Sequence, residues 1–276
     1  MIDDMAAIRL GVFLTILALM MSLEVLFPAR KLSKTPQSAS MATRWVGNFG
    51  LLIISSVIAR LIQPIGLAGF ALYVSSQQWG LLHYLSLPVW LNIAVSVLLL
   101  DMLIYWQHRL FHRIPLLWRL HKVHHADRHV DSSTALRFHP IEIIASLGIK
   151  AVAIVVLGIP AGAVILFEIL LNGFAIFNHT NIRLPAKIEK LARLVLVTQV
   201  LHRIHHSQLM SESNSNFGFS IIWWDKLFGT YTAQASKPDT QIDIGLTQYP
   251  NAKQNAWLSG LLWMPFSKKS NAAIKK

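Results

Sequence analysis

Three clusters of histidine constrain this chain more than any other feature of its sequence. They hold eight of the twelve histidines and read His108-x3-His112, His121-x2-His124-His125 and His202-x2-His205-His206. Side chains three or four residues apart share one face of a helix, so each cluster can direct several imidazoles at one point. Imidazole is the commonest metal ligand in proteins. Because eight ligands exceed the four that a structural ion needs, the clusters predict two metal ions.

The composition indicates an integral membrane protein. Hydrophobic residues make up 54% of the chain and charged residues only 14%, whereas soluble domains carry roughly 25% charged residues. The chain has no cysteine, which excludes disulfides, iron–sulfur clusters and thiolate zinc sites. The net charge of +12 comes from basic residues that flank apolar segments, which is typical of membrane topology signals. We therefore expect no nucleic-acid partner.

Five apolar segments approach the ~20 residues that span a bilayer as a helix; they cover residues 8–27, 45–63, 87–106, 141–158 and 161–178. We therefore expect an all-α fold: an integral membrane bundle of about four or five transmembrane helices with a cytosolic, histidine-rich helical cap. The expected organisation is an N-terminal transmembrane part, a histidine-rich catalytic region that includes two further transmembrane helices, and a cytosolic or interfacial tail, at 1–100, 101–235 and 236–276.

The basic residues also predict an orientation. They follow the first, third and fifth segments, while the stretch after the second segment and the turn after the fourth carry no charge. Basic loops stay in the cytoplasm, so the N-terminus would lie outside and the C-terminus inside. The eleven histidines between 108 and 206 then share the cytoplasmic side. We expect a multi-pass protein of a bacterial inner membrane.

The last two segments are expected to form a helical hairpin with two charged residues near its middle. Lys150 and Glu168 each lie nine residues from Ile159 in the intervening turn, which is roughly 14 Å along a helix. Because intramembrane charges usually pair, we expect Lys150 and Glu168 to touch or to share a polar cavity.

The residues around the clusters narrow the choice of metal. Few acids lie inside the clusters, so a carboxylate-bridged di-iron site is not expected. A histidine-rich dinuclear site fits better, and iron is favoured because it can activate dioxygen at open positions. Zinc is an alternative on ligand type alone. His179 and His139 are further ligand candidates at the same membrane level, and carboxylates expected to orient imidazoles are Asp101, Asp127, Asp131 and Asp225.

The chain resembles the fatty acid hydroxylase / sterol desaturase superfamily of integral membrane proteins from about residue 101 to 231. The resemblance lies in the order and spacing of several motifs: His108-Arg109-Leu110-Phe111-His112, His121-Lys122-Val123-His124-His125, Arg137-Phe138-His139-Pro140 with Glu142, Asn178-His179, His202-Arg203-Ile204-His205-His206-Ser207 and Trp224-Asp225-Lys226-Leu227-Phe228-Gly229-Thr230-Tyr231. It implies a small bundle of membrane helices capped by a histidine-rich region around two metals. Where relatives carry a fourth His-x3-His motif, His179 matches its first position and Arg183 occupies the other.

The resemblance implies a membrane-bound oxidoreductase with two iron ions (Fe2+/Fe3+). Its ligands would be the eight clustered histidines, and no other catalytic residue is expected. It would hydroxylate or desaturate a sterol or fatty acyl lipid at a C–H bond with dioxygen. Electrons would come from a separate reductase, ferredoxin or cytochrome, which could dock on the basic residues Arg113, Arg119 and Lys122.

Two other classes of function remain open at the level of the sequence. A histidine-rich metal transporter or sensor would need ligands along a path across the bilayer. A metal-dependent lipid hydrolase would need fewer ligands and no electron donor. Oxygen consumption that depends on a reductant and on lipid separates the oxygenase from both.

Overall fold

The part of the chain that the structure describes is all-helical and contains five helical stretches long and apolar enough to cross a membrane, as the sequence predicts. The computed structural model describes residues 2–32 and 38–267; the last residues of the expected C-terminal tail, 268–276, lie outside the described residues. The bundle is built by α1 (Ile2–Leu26), α2 (Met41–Ile62), α3 (Gly66–Ser76), α4 (Val89–Arg113), α5 (Pro115–His125), α6 (Pro140–Leu157) and α7 (Ala161–His179).

Shorter helices form a cap at one end of this bundle. They are α8 (Ala186–Ala192), α9 (Gln199–His205), α10 (Met210–Ser213), α11 (Trp223–Leu227), α12 (Ala252–Ala256) and α13 (Leu258–Trp263). Two apolar clusters hold the cap together. One centres on Leu201 and Ile222, and the other joins α13 through Leu261 to Leu51 of α2 and Trp118 of α5. The cap thus rests directly on the helices of the bundle.

The outer faces of the bundle carry many exposed apolar side chains. Ile53, Val57, Val152 and Val156 are each more than half exposed. An apolar surface of this extent is unfavourable in water. The hydrocarbon core of a bilayer, which is about 30 Å thick, solvates it well. The exposure of these side chains therefore fits helices that face lipid.

Helix α3 is an element that the apolar segments did not predict. The second segment was expected to end near residue 63, but after a short break the chain forms α3, which packs against both α6 and α7. Leu67 and Ala71 of α3 are buried against Ile154 of α6 and Phe167 of α7. The hairpin partners α6 and α7 make little direct contact with each other, because α3 occupies their common groove.

The turn between α6 and α7 depends on a pair of glycines. Gly158 ends α6 with φ +72°, a left-handed conformation that favours glycine at the end of a helix. Gly80, also at positive φ, lies so close that a Cβ added there would stand 2.0 Å from the backbone nitrogen of Gly158. The two backbones therefore pack tightly at the end of the bundle opposite the cap.

Lys150 and Glu168 do not form the direct ion pair that was one of the two arrangements expected for them. The carboxylate of Glu168 instead pairs with Arg9 of α1 at 2.7 Å, because α1 packs along α7 while α3 keeps α6 away. Lys150 is nine-tenths buried and is near enough to Glu168 and Arg9 to interact with both charges. Its side chain lines an internal cavity.

A buried arginine ties α2 to the segment that follows α5. Arg44 is 2% exposed and donates from Nε and Nη2 to the two carboxylate oxygens of Asp127 at 2.9 and 2.7 Å. It also donates to Asp131 and to the carbonyl of His129. A guanidinium with acceptors on several sides is a strong fixed point.

Replacing Arg44 by leucine should therefore destabilise the protein by about 3 to 5 kcal/mol, since it leaves the buried Asp131 without its ion-pair partner and Asp127 with only Arg137, 4.0 Å away. The measurement is the free energy of unfolding in mixed detergent micelles. Arg60→Leu is the matched control, because Arg60 lies exposed on the same helix. This substitution should change the free energy of unfolding by less than about 0.5 kcal/mol. Equal losses in the two variants would contradict this role of Arg44.

Candidate metal centre

Nine buried histidines converge at the cap end of the bundle. Helix α4 ends with the first cluster, α5 carries the second, α9 carries the third, and α7 ends on His179. Each of the nine is at most 3% exposed. Among the described residues they form two groups, in each of which the donor atoms lie within 4.8 Å of one another: His108, His112, His121, His125 and His205, and His124, His179, His202 and His206.

In the first group the ring nitrogens meet in pairs. The Nε2 atoms of His108 and His121 are 3.0 Å apart, and those of His112 and His125 are 3.1 Å apart. The ring of His205 lies 4.5 Å from that of His108, centroid to centroid. Its Nε2 is buried and has no hydrogen-bond partner among the described residues. Five donors thus surround one small volume.

In the second group the Nε2 atoms form a chain. His179 lies 3.0 Å from His124 and 2.9 Å from His202, and His202 lies 3.2 Å from His206. The two groups adjoin, because His124 and His125 are neighbours on α5 and the rings of His125 and His206 stack at 4.5 Å. The arrangement therefore offers two neighbouring sites.

Hydrogen bonds at the far nitrogens set the tautomers of three of these rings. The Nδ1–H groups of His108, His179 and His205 donate to backbone carbonyls at 2.6 to 2.8 Å. A neutral imidazole that donates from Nδ1 presents a lone pair at Nε2. The lone pairs of these rings therefore point into the two groups.

A carboxylate fixes the ring of a fourth histidine. Glu142, at the start of α6, lies 2.7 Å from Nδ1 of His121. Both side chains are buried, so little water competes for this contact. Carboxylates of this kind hold the tautomer of a ligating imidazole and raise its basicity. Glu142 belongs to one of the motifs that carry the family resemblance. Its contact with His121 depends on the packing of the chain, in which α6 begins beside α5.

The rings are neutral because they are buried from solvent. Burial lowers the pKa of His121 to about 3, and it lowers the pKa values of His124, His125, His202, His205 and His206 far below the usual value. Where both rings of a pair hold their proton on Nδ1, their Nε2 lone pairs face each other at about 3 Å and repel. A cation between them removes that repulsion.

The spacing of the nitrogens fits metal ligation. Two imidazole nitrogens bound at about 2.1 Å and at right angles to each other lie about 3.0 Å apart. The five Nε2 separations within the two groups are 2.9 to 3.2 Å. An all-imidazole set suits iron, zinc or copper. The donor set therefore fits two metal ions.

His139 lies outside both groups. Its Nδ1 accepts from the backbone N–H of Ile141 at 3.2 Å, and its Nε2 donates to the carbonyl of Leu262. It caps the start of α6 and links that helix to α13. The other nine candidate histidines are brought together as their spacing suggested.

The four aspartates expected to orient imidazoles bind other partners. The expectation that they contact the clustered histidines directly is therefore wrong. Asp127 and Asp131 bind Arg44, and Asp101 accepts from Trp224. Asp225 acts one step away: it accepts from the backbone N–H groups of Phe217 and Gly218 at 2.8 Å. It thereby holds the loop whose Phe217 carbonyl receives the proton of His108.

Lys122 also departs from its expected place on a docking surface. Its side chain is fully buried, and its ammonium group lies 5.5 Å from the centre of the Tyr249 ring. The helix α5 turns this residue inward together with its histidines. Arg113 and Arg119 are exposed, as the docking hypothesis requires.

A cavity of about 180 Å³ leads from the first group into the bundle. His108 and His121 line one end, and Lys150 lies farther along. Most of the remaining wall is apolar and comes from five helices, the segment before α6 and the loop between α10 and α11, with Phe13, Leu52, Ile104, Phe111, Leu171 and Phe219. The cavity therefore joins the histidines to the interior of the membrane part.

A second, smaller cavity of about 80 Å³ reaches the first group from the cap. His112 and Trp118 lie at its inner end, and its wall is largely polar, with Ser207, Gln208, Asn214 and Gln248. The Trp118 ring lies 5.0 Å from that of His112 and 5.4 Å from that of His125. The metal centre is thus approached from two sides of different polarity.

Several characterised proteins are similar to this chain. An ornithine lipid hydroxylase OlsE of Rhizobium tropici is 27% identical over 68% of this chain and 54% of its own length. An alkylglycerol monooxygenase of Danio rerio is 29% identical over 68% of this chain and 40% of its own. A cholesterol 25-hydroxylase of Homo sapiens is 29% identical over half of each chain.

The chain matches about half of the length of these relatives. No solved structure matches it. The family model described as fatty acid hydroxylase matches residues 93–230, a range that begins in α4 and includes every histidine of both groups. The chain therefore belongs to the fatty acid hydroxylase family.

Proposed function

We propose that this protein is an oxidoreductase that hydroxylates a membrane lipid at a C–H bond, with dioxygen and electrons from a separate donor protein. The observation that carries the proposal is the pair of neutral imidazole groups at the end of a cavity that opens among membrane helices. Relatives named as hydroxylases and monooxygenases of lipids support the reaction class.

The nine histidines would hold two iron ions, five ligands on one and four on the other. When bound, the irons would supply the activation of dioxygen that an unactivated C–H bond requires. The chain's own residues do the rest. Glu142 orients His121, and Phe138 stacks on His124 at 4.5 Å, so the rings are fixed before metal binds.

The cavity would bind the lipid and exclude water from the reacting carbon. Phe111 and Phe219 belong to its apolar wall beside His108. Exclusion of water protects a reactive oxidant and strengthens the electrostatic interactions around it. Access from the bundle suits a substrate that never leaves the bilayer.

Electrons would arrive on the opposite side, through the cap. The basic residues that flank the apolar segments would place the cap in the cytoplasm. Exposed Arg113 and Arg119 lie at the end of α4 and on α5, close to the histidines those helices carry. They would attract an acidic reductase, ferredoxin or cytochrome.

Substituting His179 tests the ligand assignment. His179→Ala should lose most of the iron bound at the second group, because Nε2 of this ring lies within 3.0 Å of the Nε2 atoms of both His124 and His202. His139→Ala is the matched control, since His139 is a histidine outside both groups. Iron per purified chain is measured by elemental analysis. Equal iron in the two variants would show that His179 is no ligand.

Glu142→Ala should weaken iron binding by about 10- to 100-fold, which is the usual effect of removing a carboxylate that orients a ligating imidazole. Ser146→Ala, one turn further along the same face of α6, should leave the affinity unchanged. Competition with a chelator gives the two affinities. A normal affinity in the Glu142 variant would contradict the positioning role.

The reaction is tested with purified, iron-loaded protein in vesicles of bacterial lipid extract, a reductant and an electron-carrier protein. We expect oxygen uptake that needs both lipid and reductant, and a lipid product that has gained one oxygen atom by mass spectrometry. Lipid cleavage without oxygen uptake would support the hydrolase, and movement of metal across the vesicle membrane would support the transporter.

A further inference from the structure

The wall of the large cavity has a polar stripe of which the metal centre uses only the first residue, Glu142. Glu142, Ser146 and Lys150 follow one another at intervals of four residues on α6 and all line the cavity. Residues four apart share one face of a helix. Asn172 of α7 also lines it. A cavity shaped only for an alkyl chain would have no need of these groups.

The ammonium group at the far end of this stripe has no hydrogen-bond partner of its own. Lys150 is nine-tenths buried and makes no hydrogen bond or salt bridge with the described residues. The charged groups that act on it are Glu168, which is already paired with Arg9, and Arg9 itself. Lys150 and Arg9 thus lie near one carboxylate that is already paired with Arg9, which leaves the amino group of Lys150 without an acceptor among the described residues.

A buried amino group without an acceptor is unfavourable in the interior of a membrane protein, whether it keeps its charge or gives up a proton. An anionic ligand group would remove this cost and would gain a charge-assisted hydrogen bond. A carboxylate is the smallest such group carried by lipids, and Ser146 and Asn172 lie beside the path that leads to Lys150.

We propose that Lys150 anchors the carboxylate of an acidic lipid inside this cavity. This inference rests on the proposed function only for the identification of the cavity as the substrate site. Glu142, which touches the ligand His121, lies eight residues from Lys150 on the same helix, or about 12 Å along its axis. The oxidised carbon then lies well away from the anchored carboxylate, on the chain rather than beside the acid.

The test is a binding assay that does not need turnover. Radiolabelled palmitate is bound to the purified protein in detergent micelles and displaced with unlabelled palmitate or with cetyl alcohol, which has the same chain length and no charge. Palmitate should bind about tenfold more tightly or better, the gain expected for a charge-assisted hydrogen bond. Lys150→Met should reduce palmitate affinity to that of the alcohol, while Lys150→Arg should keep the preference.

Lys190→Met is the matched control, because Lys190 is exposed on α8 outside the cavity; it should bind like the unmodified protein. If Lys150→Met fails to fold, Lys150→Gln replaces it. An unchanged preference for palmitate in the Met or Gln variant would overturn the anchor, as would equal binding of acid and alcohol to the unmodified protein. Lys150-dependent binding without any hydroxylation would overturn the proposed function and leave the anchor intact.

Discussion

The arrangement depends on neutral imidazole nitrogens that face each other across about 3 Å and are buried from solvent. Burial keeps the rings of His121 and His202 uncharged, and carbonyl acceptors hold the protons of His108 and His205 on the outer nitrogens. Their lone pairs must then point inward. Lone pairs that converge in this way favour a cation between them, so the fold around them has to hold the rings in place before any metal arrives.

The surrounding structure supplies that rigidity from two directions. On the membrane side, α4 and α7 are long helices packed in a lipid-facing bundle, and their ends deliver His112 and His179. On the other side, the cap brings α9 and the loop between α10 and α11 against them. Asp225 fixes this loop, and Arg44 fixes the segment after α5. A centre between these two layers has an apolar approach from the bundle and a polar approach from the cap.

Much of this could be predicted from the sequence, because spacing carries the information. Intervals of three and four residues placed His108 with His112 and His121 with His124, and apolar segments of about twenty residues predicted five spanning helices. What the sequence could not predict are contacts set by packing. Glu142 reaches His121 only because α6 begins beside α5, and α3 separates the helices of Lys150 and Glu168, so that Arg9 takes the place of the expected partner. Lys122 was expected to be exposed because it is charged, but it lies within a histidine cluster on α5 and is buried with it.

The central claim is that two metal ions lie between these rings with imidazole as the dominant ligand. X-ray absorption at the iron edge, together with the iron content of purified protein, tests it most directly. We expect about two irons per chain, each with a first shell made mainly of nitrogen at about 2.1 Å and the outer-ring scattering that imidazole produces. A single ion per chain, or a first shell dominated by carboxylate oxygen, would contradict the account.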